Sequence, residues 1–134
     1  MTITLRGVKG SELTHAELDE NFTTLDDGKA DKNIGINVQT GDYTLVAGDA
    51  GKSIELDKAT AISVTVPASA SVAFPVGTQI IIVQIGAGQV TVVEDSGVTV
   101  KTAETLLLAK QYAGATLYKR GTDDWVIVGN LEAV

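Results

Sequence analysis

Residues 34–134 are a close succession of short runs rich in valine, isoleucine and threonine, broken by glycine and aspartate, and this most constrains the fold. β-Branched side chains are stiff about χ1 and suit a pleated surface. Ile62-Ser63-Val64-Thr65-Val66 alternates cleanly and stops at Pro67, which has no N–H to give to a ladder. Residues 78–85 read as a longer strand. Gly86-Ala87-Gly88 is expected to turn it, as a hairpin, into a strand at 89–94, and Asp95-Ser96-Gly97 to lead on to 98–102. Further strands are expected at 34–38, 43–46, 53–57, 115–120 and 125–128. Leu106-Leu107-Leu108-Ala109 reads equally as a strand or a short helical turn. About eight to ten short strands with turn signals roughly every 8–12 residues predict an antiparallel β-sandwich or jelly-roll-like barrel. No internal repeat stands out.

Residues 1–33 differ in character and are expected to form an N-terminal anchor segment with a short α-helix, ahead of a β-domain at 34–134. Thr14 and Glu17 are spaced for a capping box, and Leu13 and Leu18 for the hydrophobic staple around it. Leu18, Phe22 and Leu25 then fall on one stripe at spacings of four and three. A helix this short is marginal in water, and each large apolar side chain gains about 1.5–3 kcal/mol on burial. The stripe therefore needs a surface: the chain's own β-domain, a copy of itself, or a docking protein. Leu13, Leu18, Phe22 and Leu25 are the candidate oligomer or attachment interface.

The β-region raises the same question. Ile80-Ile81-Ile82-Val83 and Trp125-Val126-Ile127-Val128 are apolar on both faces, whereas a small sandwich turns one face of each strand to water. Either copies of the chain or a loop of the same chain must cover the second face.

Several chemistries are excluded or disfavoured. The net charge is −7 and the lysines and arginines are scattered, which argues against nucleic acid as a partner. There is no cysteine, so disulfides, thiolate metal sites and a cysteine nucleophile are ruled out. Met1-Thr2-Ile3-Thr4-Leu5-Arg6 lacks the apolar stretch of a secretory signal, and the longest aliphatic run is far short of a membrane span. A soluble protein made in the cytoplasm, without membrane contact, is expected.

Gly48-Asp49-Ala50-Gly51-Lys52-Ser53 ends like a phosphate-binding loop, but Val46 stands where its first glycine belongs and an alternating strand follows instead of a helix. The carboxylate pairs Glu94-Asp95 and Asp123-Asp124 sit at expected turns, where aspartate serves the backbone. A single histidine, His15, supports neither a serine triad nor a zinc site. No enzyme, metal or cofactor is expected. Trp125 or Tyr118 could stack on a sugar, although Trp125 fits core or interface packing better.

The stretch Lys9-Gly10-Ser11-Glu12-Leu13-Thr14-His15-Ala16-Glu17-Leu18-Asp19-Glu20-Asn21-Phe22 resembles the K-G-S-x-L-T-H-x-E-[LV]-D-x-N-F start found on many bacteriophage tail-fibre and virion appendage proteins. Val64-Thr65-Val66-Pro67, Phe74-Pro75-Val76-Gly77-Thr78 and Gly121-Thr122-Asp123-Asp124-Trp125 are similar in style to the β-domains of phage fibres and head decorations. This resemblance implies a virion structural protein, usually a homotrimer, attached through its N-terminal segment to the major capsid protein or another virion protein. Without shaft repeats or a large tip, the chain suits a capsid decoration (cement) protein or short head fibre. A tail fibre or baseplate adaptor is the alternative, and a carbohydrate-binding module comes after it.

Overall fold

The computed structural model describes residues 33–134, so the expected helix and the interface residues Leu13, Leu18, Phe22 and Leu25 lie outside the described part. Ile34–Val134 is mainly β and builds two sheets. The strands are β1 (Ile36–Gln39), β2 (Tyr43–Thr44), β3 (Ser53–Leu56), β4 (Ile62–Val66), β5 (Gln79–Gln84), β6 (Val90–Glu94), β7 (Thr99–Lys101), β8 (Gly114–Gly121) and β9 (Asp124–Gly129). The six-stranded sheet runs β1-β3-β5-β8-β9-β7 and the three-stranded sheet β2-β4-β6. Inward side chains of both sheets, among them Ile54, Leu56, Val64, Ile82, Val92 and Leu117, form the core between them.

The sandwich-like arrangement agrees with the sequence, but the antiparallel expectation is corrected. β1 to β6 alternate between the sheets, and each of β3 to β6 pairs in parallel with the strand two places earlier. Parallel neighbours need a crossover. In this fold the crossover is the intervening strand in the opposite sheet, so the chain winds as in a short solenoid. Ser53 lies opposite Ile81 and Ile62 opposite Val90, an offset of 28 residues in both sheets. The β3–β4 turn of the winding therefore stacks as a unit on the β5–β6 turn. This structural repeat escapes notice in the sequence because most paired positions share only inward burial, as Ile62 and Val90 do.

Consequently Gly86-Ala87-Gly88 is no hairpin. It is an arch between sheets, stacked on residues 58–60 beneath, with Gly88 N donating to Lys58 O at 2.8 Å. A Cβ on Gly86 would lie 2.3 Å from Lys58 O, and one on Gly88 only 1.7 Å from Thr60 O. Gln84, buried at the head of this arch, accepts from Val90 N at 3.1 Å and donates to Gly86 O at 3.3 Å. Asp95-Ser96-Gly97 likewise carries the chain from one sheet to the other. Among the described residues only the turn at residues 121–124 joins antiparallel partners, β8 and β9.

The winding stops where antiparallel strands cover it. β8 lies on β5 in the larger sheet. Residues 106–108 are extended and lie on β6, with Val92 N donating to Leu106 O at 2.7 Å and Leu108 N to Val90 O at 3.0 Å. The β4–β5 connection folds over one side of the core. Phe74 meets Trp125 edge-on at 5.6 Å, and buried Lys119 donates to Ser69 Oγ at 2.9 Å and Phe74 O at 2.7 Å. Trp125 is thus a core residue, 1% exposed, and no sugar can stack on it.

Because Gly88 has no room for a side chain, Gly88→Ala should cost about 2–4 kcal/mol in denaturant unfolding. Gly48→Ala, with nothing within 4 Å of the added Cβ, should stay within about 0.5 kcal/mol of the parent. Equal effects at the two positions would contradict the stacked arch.

Candidate functional site

The outer faces of the two sheets are chemically unlike. On the three-stranded sheet, Thr44, Ser63, Thr65 and Thr91 point outward, with Val93 the aliphatic exception. That face suits water. On the six-stranded sheet the register lines up Ile36, Ser53, Ile81, Thr116 and Val128 in one row across five strands. Neighbouring rows add Val38 and Val83 on one side, and Tyr118 and Val126 on the other. Ile81, Val83 and Val126 are half-buried, whereas Ile36 is 64%, Val38 53%, Val128 53% and Tyr118 36% exposed. Glu55 and Lys101 are the charges within these rows, and Lys101 lies 3.2 Å from the Asp124 carboxylate. The two-sided strands read from the sequence are therefore two-sided in the fold. No loop of the described part covers their second face fully.

β1 contributes to this face against expectation. Its alternation is inverted, with Ile36 and Val38 outward and Asn37 and Gln39 toward the interior. The reason is a buried carboxylate at the end of the core. Asp49, 1% exposed at the end of the 3-10 turn Ala47–Asp49, accepts from Asn37 Nδ2 at 2.9 Å, Tyr43 Oη at 2.7 Å and Val46 N at 2.9 Å. Gln39 donates to Asn37 Oδ1 at 2.8 Å. A buried carboxylate must be met by donors, so Asn37 faces inward and the aliphatic residues on either side of it face out. Sequence alternation alone could not tell which set wins.

A groove opens at the far edge of the same sheet. β7 pairs only with Asp124, Trp125 and Val126 of β9, and after Lys101 the chain veers away. The space left beside the rest of β9 is about 360 Å³ and is lined by Ala103, Val126, Val128 and Leu131, with Lys101 and Glu104 also on its wall.

The chemistry-like motifs resolve into structure. Residues 48–53 are the end of the 3-10 turn and the start of β3, without a following helix. Glu94 accepts from Val100 N at 2.7 Å, Asp95 from Ser96 N at 2.8 Å and Asp123 from Ser69 N at 2.7 Å. Among the described residues no group of histidine or carboxylate side chains could hold a metal, and no helix is long and apolar enough to cross a membrane. His15 lies outside the described residues. No family model, curated protein or solved structure matches the chain.

Burial, and next the bond to Asp49, raise the Tyr43 hydroxyl above its ordinary pKa of 10.0. A folded value above the unfolded one gives stability that is fully present below the unfolded pKa and is lost as pH rises through the folded one. The stability difference between the parent and Tyr43→Phe should therefore shrink from about pH 8 to about pH 11, since other titrating groups are common to both proteins. A difference unchanged over that range, in denaturant midpoints, would contradict the hydrogen-bonded Tyr43–Asp49 pair.

Proposed function

We propose that this chain is a non-enzymatic structural protein of a bacteriophage particle, a homotrimeric capsid decoration (cement) or short head-fibre protein attached through its N-terminal segment. The stretch at residues 9–22 carries the proposal, because its resemblance to the starts of phage virion appendages is specific in both residue type and spacing. The apolar outer face of the six-stranded sheet supports the assembly it implies. Single aliphatic residues on a surface are ordinary, but here aliphatic pairs recur on β1, β5 and β9 of one face, with Ser53, Glu55 and Thr116 between them, and such clustering is the mark of an interaction surface.

The size of that face is adequate. Six strands about 4.8 Å apart and roughly five residues long offer roughly 500 Å² per copy. Pairing two such faces buries about the 1,000 Å² that separates specific interfaces from casual contacts. A repetitive coat component needs no catalytic constellation; it needs a rigid body, a surface that other copies cover and a tether.

The full chain should have the mass of three copies by light scattering at micromolar concentration, and antibody-gold should label the particle head. Replacing Leu18 and Phe22 by Ser should lower the mass and abolish particle binding while the β-sheet circular dichroism stays unchanged. A single-chain mass for the parent would overturn the trimer. Labelling confined to the tail would favour a fibre or baseplate adaptor instead.

A further inference from the structure

We propose that the groove beside β9 receives the β1 strand of a neighbouring copy, so that subunits join head to tail, edge to edge. This deepens the homo-oligomer proposed above and rests on it. Four observations carry the contact. First, among the described residues β1 is an edge strand, and residues 34–39, Ile-Gly-Ile-Asn-Val-Gln, carry no charge, while the opposite edge strand, β7, carries Lys101. Sheet edges left without charge, proline or cover invite another strand. Second, the groove lies at the other edge of the same sheet, where β9 outruns β7, and its wall is largely aliphatic. Such a wall accepts aliphatic side chains.

Third, the directions agree. β1, β3 and β5 are parallel, β5 and β8 antiparallel, and β8 and β9 antiparallel, so β9 runs the same way as β1. Rotation about an axis along the strands preserves direction. A neighbour's β1 then adds to β9 in the parallel sense that β7 already uses. Fourth, the faces agree. Ile36 and Val128 stand in one row on the outer face, and Lys101 already fills the place beside Val126, so strand addition sets Ile36 of one copy beside Val128 of the next. A contact between two different patches closes into a ring when the rotation permits.

Paired cysteines test the contact in the full chain, which has none of its own. Ile36 and Val128 are both exposed, so Ile36→Cys and Val128→Cys leave the core intact. They sit four strands apart, about 19 Å, too far for a disulfide, which needs Cα atoms within roughly 7 Å. Any bond between them joins two copies. The double variant should convert on mild oxidation mostly to covalent multimers on denaturing gels. Mixing the single variants should give only two-chain products. Cross-linking of Ile36→Cys or Val128→Cys with itself would mean like patches meet, and would overturn the head-to-tail contact. An oligomeric mass without any cross-link would overturn the groove contact and leave the oligomer standing. A single-chain mass would remove the oligomer and this contact together.

Discussion

Where the arch at residues 86–88 lies on residues 58–60, two backbones approach so closely that neither Gly86 nor Gly88 can carry a Cβ. That contact fixes the spacing between the β3–β4 and β5–β6 turns of the winding, which share one offset of 28 residues in both sheets. Given this spacing, every inward residue of β3 and β4 finds a partner on β5 and β6, and the core becomes one continuous column of branched side chains. Gln84 holds the same arch from within by satisfying Val90 N and Gly86 O. A buried amide is tolerable there because both of its ends are used.

The two ends of the column are closed by different means. At the β5–β6 end, antiparallel β8 and the extended residues 106–108 cover the last turn and supply further apolar side chains. At the β1–β2 end the closure is polar, with Asp49, Asn37, Tyr43 and Gln39 joined in one hydrogen-bonded group. The polar closure has a consequence at the surface. It turns Ile36 and Val38 outward, onto the same face as Ile81, Val83, Val126 and Val128, and so adds to the aliphatic surface on the outer side of the larger sheet.

Much of this was legible in the sequence, and what was missed has a physical reason. The β3, β4, β5, β6 and β9 runs announce themselves through β-branched alternation and turn residues, and the apolar character of both faces of β5 and β9 was visible in Ile80-Ile81-Ile82-Val83 and Trp125-Val126-Ile127-Val128. Strand direction was not legible, because a glycine-rich link serves equally for a hairpin within a sheet and an arch between sheets. The close approach of Gly86 and Gly88 to another backbone separates the two cases, and only the fold reveals it. The inversion of β1 was hidden for a similar reason: its alternation is clear, but its sense depends on Asp49, twelve residues beyond Asn37. The groove beside β9 depends on where β7 stops, which turn residues do not mark.

Central to this account is that the outer face of the six-stranded sheet is covered by like copies. Tyrosine labelling by hydroxyl radicals, run at dilute and at assembled concentrations, tests this directly, since Tyr118 lies on that face and Tyr112, 73% exposed, sits on the turn before β8. Concentration should protect Tyr118 several-fold and leave Tyr112 unchanged. Equal reactivity of Tyr118 at both concentrations would mean the face stays wet, and would contradict the account.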